Sequence, residues 1–283
     1  VLFPRSSALG SEDIRDLWDA VLRALPRIDV VFLDKMPEHV GGLSNPLVRL
    51  GATPIGISGH ATALTGSWTS FEATRLPRRR TLRRYRRRLA AIGPVRFEIP
   101  ESPERREKVL AAMVRQKERR FAETGATGFR SPGKMEFFLE AGRRLAEGPV
   151  HLSALVVGDE IVATHLGYVY DRRFYQIMPT YEGGPWQALS VGRLLHEDLI
   201  EWSFRNGIGI FDFGIGDEAY KLEYCDEMLP LHRIVMPLTA AGRIYLTALD
   251  ARDRIRDSAL WARVRAFKRG LSPSPSGPGD DEP

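Results

Sequence analysis

Between residues 95 and 238 the spacing of apolar side chains alternates between a period of two and a period near 3.6, with each switch marked by proline, glycine or a capping residue. Val95 to Ile99 alternates as a half-buried strand does, and Pro100 stops it. Ser102 and Pro103 then supply an N-cap and a first helical residue. Val109, Leu110, Met113, Gln116, Lys117 and Phe121 recur at helical spacing as far as Gly125. Ser131 with Pro132 repeats the device for a second helix, with Phe137, Phe138, Ala141 and Leu145 on one side and an end near Gly148. From Val150 strand alternation returns. Turns at Gly158-Asp159-Glu160 and Asp171-Arg172-Arg173 mark off three hairpin-connected strands. After Gly183-Gly184-Pro185 a third helix is expected from Ser190, with Leu194, Leu195, Leu199, Trp202 and Phe204 inward and a left-handed terminus at Asn206-Gly207. Ile208 to Phe213 predicts a strand, Asp217 to Tyr224 a short helix and Leu231 to Leu238 a last strand.

Before residue 95 the pattern is incomplete. Ser11 is expected to cap a helix through Leu25 with Leu17, Trp18, Val21 and Leu22 inward, Asp29 to Leu33 predicts a strand, and Asn45-Pro46 starts a short element. Composition narrows the class: 283 residues with 43% hydrophobic content can bury one large core or two modest ones. No apolar run approaches the about 18 residues that span a bilayer, and no signal-peptide pattern stands at the front. Cys225 is the single cysteine, so no internal disulfide can form, which fits a reducing cytoplasm. Lys and Arg number 41 against 36 Asp and Glu, leaving +5, much of it in one arginine-rich segment.

The order strand, helix, helix, three strands, helix, strand, short helix, strand, with Gln187 to Gly192 opening the third helix, resembles the plan of the Gcn5-related N-acetyltransferase superfamily. That resemblance implies an α/β fold whose mixed sheet splays to hold an acyl-coenzyme A. Within the superfamily the chain resembles the acetyltransferases associated with bacterial cellulose and exopolysaccharide biosynthesis, relatives of the Fem-type peptidyltransferases. The likeness runs from about residue 11 to about residue 240. It rests on L-P-R-R-R-T-L-R-R-Y-R-R-R-L-A-A-I-G-P-V-R-F-E (Leu76 to Glu98), Q-K-E-R-R-F (Gln116 to Phe121), S-V-G-R-L-L (Ser190 to Leu195) and F-D-F-G-I-G-D-E-A-Y-K (Phe211 to Lys221). Val191 stands where the family usually has proline. A degenerate half-domain normally precedes the catalytic one in that family. Residues 1–94 are therefore expected to be the remnant of such a copy with a basic helical linker, 95–240 the acyltransferase domain, 241–271 a helical extension and 272–283 a disordered tail. The start at Val1, without a methionine, adds to the expectation that something precedes it.

The resemblance also assigns chemistry. Its members carry Q/R-x-x-G-x-G/A at the third helix, where small residues let amides approach the coenzyme pyrophosphate beside a helix N-terminus. Gln187, Ser190, Val191, Gly192 and Arg193 are the corresponding coenzyme-binding candidates, with Ser190 in place of the first glycine as an N-cap that donates its hydroxyl. The plainer alternative is a simple N-cap with Gly192 small for packing. Joining an amine to a thioester needs a base, donors for the tetrahedral oxyanion and an acid for the leaving thiolate. Asp217 and Glu218 are candidate bases, Tyr220 or Tyr224 a candidate acid, and Lys221 a candidate oxyanion donor, since Fem-type enzymes place a lysine after an aromatic residue here. An ordinary helix pair between Asp217 and Lys221 has the same spacing.

Other signals compete. Gly214 to Ala219 imitates a dinucleotide fingerprint, but two acids in the turn would repel a pyrophosphate. His165 is a candidate base with a hydrogen-bonded core histidine as its alternative, and His196 with Glu197 lacks the second histidine of a zinc motif, so no metal is expected. Cys225 reads as a packing residue. Gln116 and Lys117 either project toward the acceptor or lie on a solvated face. Arg78, Arg79, Arg80, Arg83, Arg84, Arg86, Arg87 and Arg88 surround an apolar stripe of Leu82, Tyr85 and Leu89, which predicts a docked amphipathic helix. Its charged faces suit an anionic membrane or a polyanion better than specific nucleic-acid readout, which needs more than a basic helix.

Taken with the resemblance, these features give an acetyl-coenzyme A dependent N-acyltransferase acting on an amine of a sugar or exopolysaccharide precursor, cytoplasmic or peripheral to the inner face of the membrane. A Fem-type transferase drawing on aminoacyl-transfer RNA is the alternative among enzymes. A non-catalytic binding component of a polysaccharide assembly is the alternative outside them.

Overall fold

The computed structural model describes residues 10–40, 42–124, 133–144 and 148–257. The expectations at Gly125, Ser131, Pro132 and Leu145, the part of the helical extension from residue 258 and the tail from residue 272 lie outside them. In chain order the elements are α1 (Ser11–Ala24), β1 (Val30–Pro37), β2 (His39–Val40), β3 (Leu43–Ser44), a 3-10 turn (Pro46–Leu50), β4 (Thr53–Ala63), α2 (Trp68–Thr74), α3 (Arg79–Ala90), β5 (Val95–Glu98), α4 (Pro103–Thr124), α5 (Lys134–Arg143), β6 (Val150–Val157), β7 (Glu160–Tyr170), β8 (Arg173–Tyr181), α6 (Pro185–Ala188), α7 (Val191–Arg205), β9 (Ile210–Ile215), α8 (Ala219–Tyr224), β10 (Glu227–Pro237) and α9 (Ala240–Asp257). They form two units, Gly56–Leu231 and a second made of Val1–Ile55 with His232–Pro283. The larger unit takes in residues 56–94 because β4 pairs antiparallel with β9, from Gly59 opposite Ile215 to Ala63 opposite Ile210.

Inside the larger unit the strands run β4-β9-β8-β7-β6-β5. All neighbours are antiparallel except β8 and β9, so the sheet is mixed. Asp171 and Arg172 both take positive φ (48° and 55°), the geometry of the tight hairpin turn expected there. Ser102 caps α4 by accepting from the Arg105 amide at 3.2 Å. On one side of the sheet α4 and α5 pack Val109, Leu110 and Met113 on Leu152, Ala154, Val156, Leu166 and Met178. On the other, Leu194, Leu195 and Leu199 of α7 meet Leu155, Ala163, Phe174, Phe211 and Phe213, joined by Leu82 and Leu89 of α3. The stripe expected on the arginine helix is therefore the side by which it docks.

Three side-chain assignments change. Gln116 and Lys117 do not lie on a solvated face: Gln116 is fully buried and Lys117 half-buried, because α4 lies flat on the sheet. The Gln116 side chain donates to the Ile161 carbonyl (3.0 Å) and accepts from Thr164 (3.1 Å) and Thr180 (2.7 Å), leaving nothing to offer an acceptor substrate. Phe137 is exposed and only Phe138 of the α5 pair packs inward, since adjacent helical residues cannot share one narrow face.

In the smaller unit Gly10, not Ser11, is the N-cap of α1, and its amide donates to Asp13 at 2.8 Å. Ile14 carries the burial and Leu17 lies outward. Asn45 caps the 3-10 turn by accepting from the Leu47 amide at 3.1 Å, as its place before Pro46 predicts. The Asp34 carboxylate accepts from Arg233 at 2.7 Å, and the Leu238 amide donates to the Asp29 carbonyl at 2.8 Å.

Candidate functional site

Strands β8 and β9 pair over three positions only, Arg173 with Ile210, Phe174 with Phe211 and Tyr175 with Asp212. Beyond these, β8 continues to Tyr181 and β9 to Ile215 without partnering each other, so the sheet opens into a cleft at their carboxyl ends. Asp212 holds the point of divergence. Its carboxylate accepts from Arg173 Nε at 3.1 Å and from the Gly214 amide at 2.8 Å, the latter bent through φ 76°. A Cβ at Gly214 would stand 3.2 Å from the Gln176 carbonyl.

The third-helix turn lies at the end of β8. Ser190 makes no side-chain cap bond, contrary to the expected hydroxyl cap, because it adopts the left-handed conformation (φ 52°) and not the extended one a side-chain cap requires; its carbonyl accepts from the Arg193 and Leu194 amides (2.9 and 3.1 Å). The amides of Val191 and Gly192 are then the orphan donors of the first turn. The Val191 side chain is buried in the core, and Gln187 is exposed. Gly192 is small for a packing reason too: a Cβ there would sit 2.9 Å from Tyr181 Cδ1. Arg193 does not point freely at the turn, since Glu223 takes both of its terminal nitrogens (2.7 and 3.1 Å). Glu223 also binds Arg78 (2.9 and 2.8 Å), and hydrogen bonds from Arg193 first, then Arg78, hold its carboxyl down to about 2. A backbone cradle with no side chain at Gly192 fits a pyrophosphate; the amides of Val191 and Gly192 would hold it.

Across the cleft, β9 ends at Ile215, flanked by Gly214 and Gly216, and α8 brings its side chains together. Lys221 is buried (4% exposed), and its Nζ donates to the Ile215 carbonyl at 2.8 Å and to Glu218 at 2.9 Å. The ordinary Asp217–Lys221 helix pair does not form. Asp217 turns instead to His60 of β4, with Nε2 to Oδ1 at 2.7 Å. Burial alone would raise the Glu218 carboxyl, but the Lys221 hydrogen bond and a backbone amide hold it below the usual range. Tyr220 accepts from Gln176 Nε2 at 3.1 Å and stacks on the His196 ring (centroids 5.5 Å apart, 20° between planes). Burial pushes the Tyr220 phenol up to about 12 and raises that of Tyr224 as well, so both keep their protons at neutral pH. Cys225 is a packed thiol pushed up to about 12 by burial.

The structure thus brings Asp217, Glu218, Tyr220 and Lys221 together at the cleft. It sets His165 apart, fully buried beneath α7 with neither ring nitrogen partnered by the described residues. Burial holds that imidazole well below its ordinary range, so it is a neutral core group but not a hydrogen-bonded one. Sequence reasoning missed His60 and Gln176. His60 sits where the β4–β9 register shifts, a bulge that re-aims side chains; in the sequence it is a lone histidine in Gly59-His60-Ala61.

The eight arginines of the basic segment divide. Arg78 binds Glu223, Arg79 and Arg83 bind Glu72 (3.3 and 2.5 Å), and Arg86 binds Asp198 at 2.6 Å. Arg80, Arg84, Arg87 and Arg88 are exposed, and their i, i+4, i+7, i+8 spacing sets them along one face of α3. Among the described residues no group of three or more His, Cys, Asp or Glu is arranged to hold a metal ion, and no helix is long and apolar enough to cross a membrane.

Comparison with known proteins fits this geometry. The fold is similar to that of FemX (TM-score 0.56, 9% identity, 80% of this chain and 77% of that one). It is also similar to L-PGS from Bacillus licheniformis (TM-score 0.52, 12% identity, 86% and 77%). A conserved protein from Bacteroides thetaiotaomicron matches 76% of this chain at 14% identity and a TM-score of 0.47, and the chain spans 65% of its length. No curated protein sequence matches. Residues 77–222, just over half of the chain, match the family described as acetyltransferase (GNAT) domain. That stretch contains the divergent strand pair, the turn at Gly192 and the Lys221 cluster, and the chain belongs to the GNAT acetyltransferase family.

Proposed function

We infer that this protein is an acetyl-coenzyme A dependent N-acyltransferase whose acceptor is an amine on a sugar or exopolysaccharide precursor. The observation that carries the acyl-transfer reading is the divergence of β8 from β9 between two unlike ends: orphan amides at Val191 and Gly192 on one, buried Lys221 beside protonated Tyr220 on the other. Asp217, half-exposed and backed by His60, takes the proton of the incoming ammonium. Lys221 commits two N–H groups to Ile215 and Glu218 and keeps the third for the developing oxyanion. Tyr220, held protonated by burial, gives its proton to the departing thiolate. The sugar or exopolysaccharide acceptor is supported by sequence resemblance alone, through the blocks at Leu76 to Glu98 and Phe211 to Lys221. The outward arginines Arg80, Arg84, Arg87 and Arg88 support attachment to an anionic membrane or polyanion.

Likeness to FemX and that same arginine face favour a second reading, transfer of an aminoacyl group from aminoacyl-transfer RNA. Calorimetric titration of the full chain separates them. Binding of acetyl-coenzyme A, with amine-dependent thiol release, supports the first; transfer-RNA binding without coenzyme binding replaces it with the second; neither leaves a binding scaffold.

A further inference from the structure

The α7 side of β6, β7 and β8 carries polar side chains where a core is ordinarily apolar. His151 and Ser153 stand two apart on β6, Ser153 is directly opposite His165 on β7, and Gln176 on β8 is opposite Gly167. All four therefore project from the same face, the one carrying Leu155, Ala163 and Phe174 beneath α7. His196 reaches the same region from α7, close enough to bear on the charge of His165. Gly167 leaves room for the His165 ring: a Cβ there would lie 2.6 Å from its Cε1.

Each of these side chains is at least nine-tenths buried, and their polar atoms go unmatched. Both ring nitrogens of His151, His165 and His196, the Ser153 hydroxyl and the Gln176 carbonyl oxygen have no hydrogen-bond partner among the described residues. Leaving eight such atoms unpaired would cost as much as an ordinary domain's whole stability, so something other than protein must satisfy them. Neutral imidazoles suit water, since each offers one donor and one acceptor. The groups also form a sequence in space. His151 lies against half-buried Trp202 (4.4 Å between centroids), at the end of α7. His165 follows at 6.4 Å from His151, too far for a direct ring-to-ring hydrogen bond. Gln176 and His196 then meet at Tyr220, one bonding its hydroxyl at 3.1 Å and the other stacking on its ring.

We propose that His151, Ser153, His165, Gln176 and His196 enclose a file of bound water beneath α7 that connects the Tyr220 hydroxyl with the surface at His151. Its use rests on the acyl-transfer reading; its existence does not. An ammonium and a thioester give an amide, a thiol and one proton. The amine nitrogen forms the new C–N bond and loses two protons by way of Asp217, which is half-exposed and passes them to solvent. The C–S bond breaks, Tyr220 gives its proton to sulfur, and the phenolate left behind must recover one. A path beneath α7 returns that proton to Tyr220 while the donor fills the cleft mouth, so one proton is released overall.

The test uses the full chain labelled with nitrogen-15 in its histidines. NMR exchange with water is expected at the rings of His165 and His196 under native conditions, and ordered waters within hydrogen-bonding distance of both are expected in a high-resolution crystal structure. Rings that exchange only on global unfolding, in a dry crystal interior, would overturn the file. In His165→Leu the water cross-peaks of His196 should be lost while those of His151 persist; unchanged exchange at His196 would equally overturn the path. If that variant does not fold, Ser153→Ala, which only removes the hydroxyl, makes the break at the facing wall. With an amine that supports turnover, Ser153→Ala should lower kcat and leave the KM for acetyl-coenzyme A unchanged, whereas unaltered kcat would exclude the file from catalysis. Failure of every amine would count against the acyl-transfer reading and leave the exchange result standing.

Discussion

Thr164 and His165 are neighbours in β7 and face opposite sides of the sheet, and the two sides treat buried polarity differently. On the α4 side Thr164, Thr180 and Gln116 satisfy one another and the Ile161 carbonyl, so the polar atoms are structural members of that core. On the α7 side the ring nitrogens of His151, His165 and His196 and the Ser153 hydroxyl find no partner among the described residues. A matched polar cluster fixes a single arrangement, while an unmatched one reserves space for something that is not protein. The face that bears on the cleft is the unmatched one.

The strongest way to break this contrast is at Lys221, a buried polar group that does have protein partners. Lys221→Met should keep coenzyme affinity near wild type and cost about 1 to 3 kcal/mol of stability, because the Ile215 carbonyl loses its donor, while turnover falls by at least about a hundredfold, the loss of about 3 kcal/mol expected for one oxyanion donor. Steady-state kinetics alongside calorimetry check it, and a variant within a few-fold of wild type would return Lys221 to a packing role. Acid separates the faces next. Burial lowers His151 and His196 from 6.5 to about 4, so protonation favours the unfolded chain. The stability from the neutral rings is complete above pH 6.5 and lost as the pH falls toward 4. The slope is up to about 1.4 kcal/mol per pH unit for each ring. Urea denaturation across that window should show it, and His151→Phe should remove one ring's share.

Gln116→Leu should destabilise by about 1 to 3 kcal/mol, because the Ile161 carbonyl loses its donor. Ser153→Ala, across the sheet, has no protein bond to lose and should cost about 0.5 kcal/mol or less. Equal costs in denaturation would erase the distinction between the faces. The smallest stability effect is expected on the outside. Replacing Arg80, Arg84, Arg87 and Arg88 with glutamine should shift stability by no more than about 0.5 kcal/mol. Cosedimentation with anionic vesicles should weaken and lose much of its salt dependence. Arg83 does not belong in that set, since Glu72 holds it at 2.5 Å.

The order of elements was legible because each is announced locally, by Ser102-Pro103 before α4, by Asp171-Arg172 in the hairpin and by Gly207 after α7. Boundaries slipped where tertiary pairing extends a strand beyond its alternation, as when β10 begins at Glu227 and not at Leu231. The cluster from Asp217 to Lys221 was legible because Asp217, Glu218, Tyr220 and Lys221 fall within one short run of sequence interrupted only by Ala219. His60 was not, because 157 positions separate it from Asp217 and nothing in its own neighbourhood distinguishes it from a strand residue. The engagement of Arg193 by Glu223 was hidden for a like reason: the two lie 30 positions apart, on different helices.

Glu223, Arg78 and Arg193 carry one negative and two positive charges in a single hydrogen-bonded knot. With its carboxyl held down to about 2, that acid stays ionised at any pH the protein would meet in use, so the knot keeps a surplus of one positive charge at the opening of α7. An arriving phosphate can take Arg193 without leaving an isolated anion behind, because Arg78 stays to neutralise the shared acid.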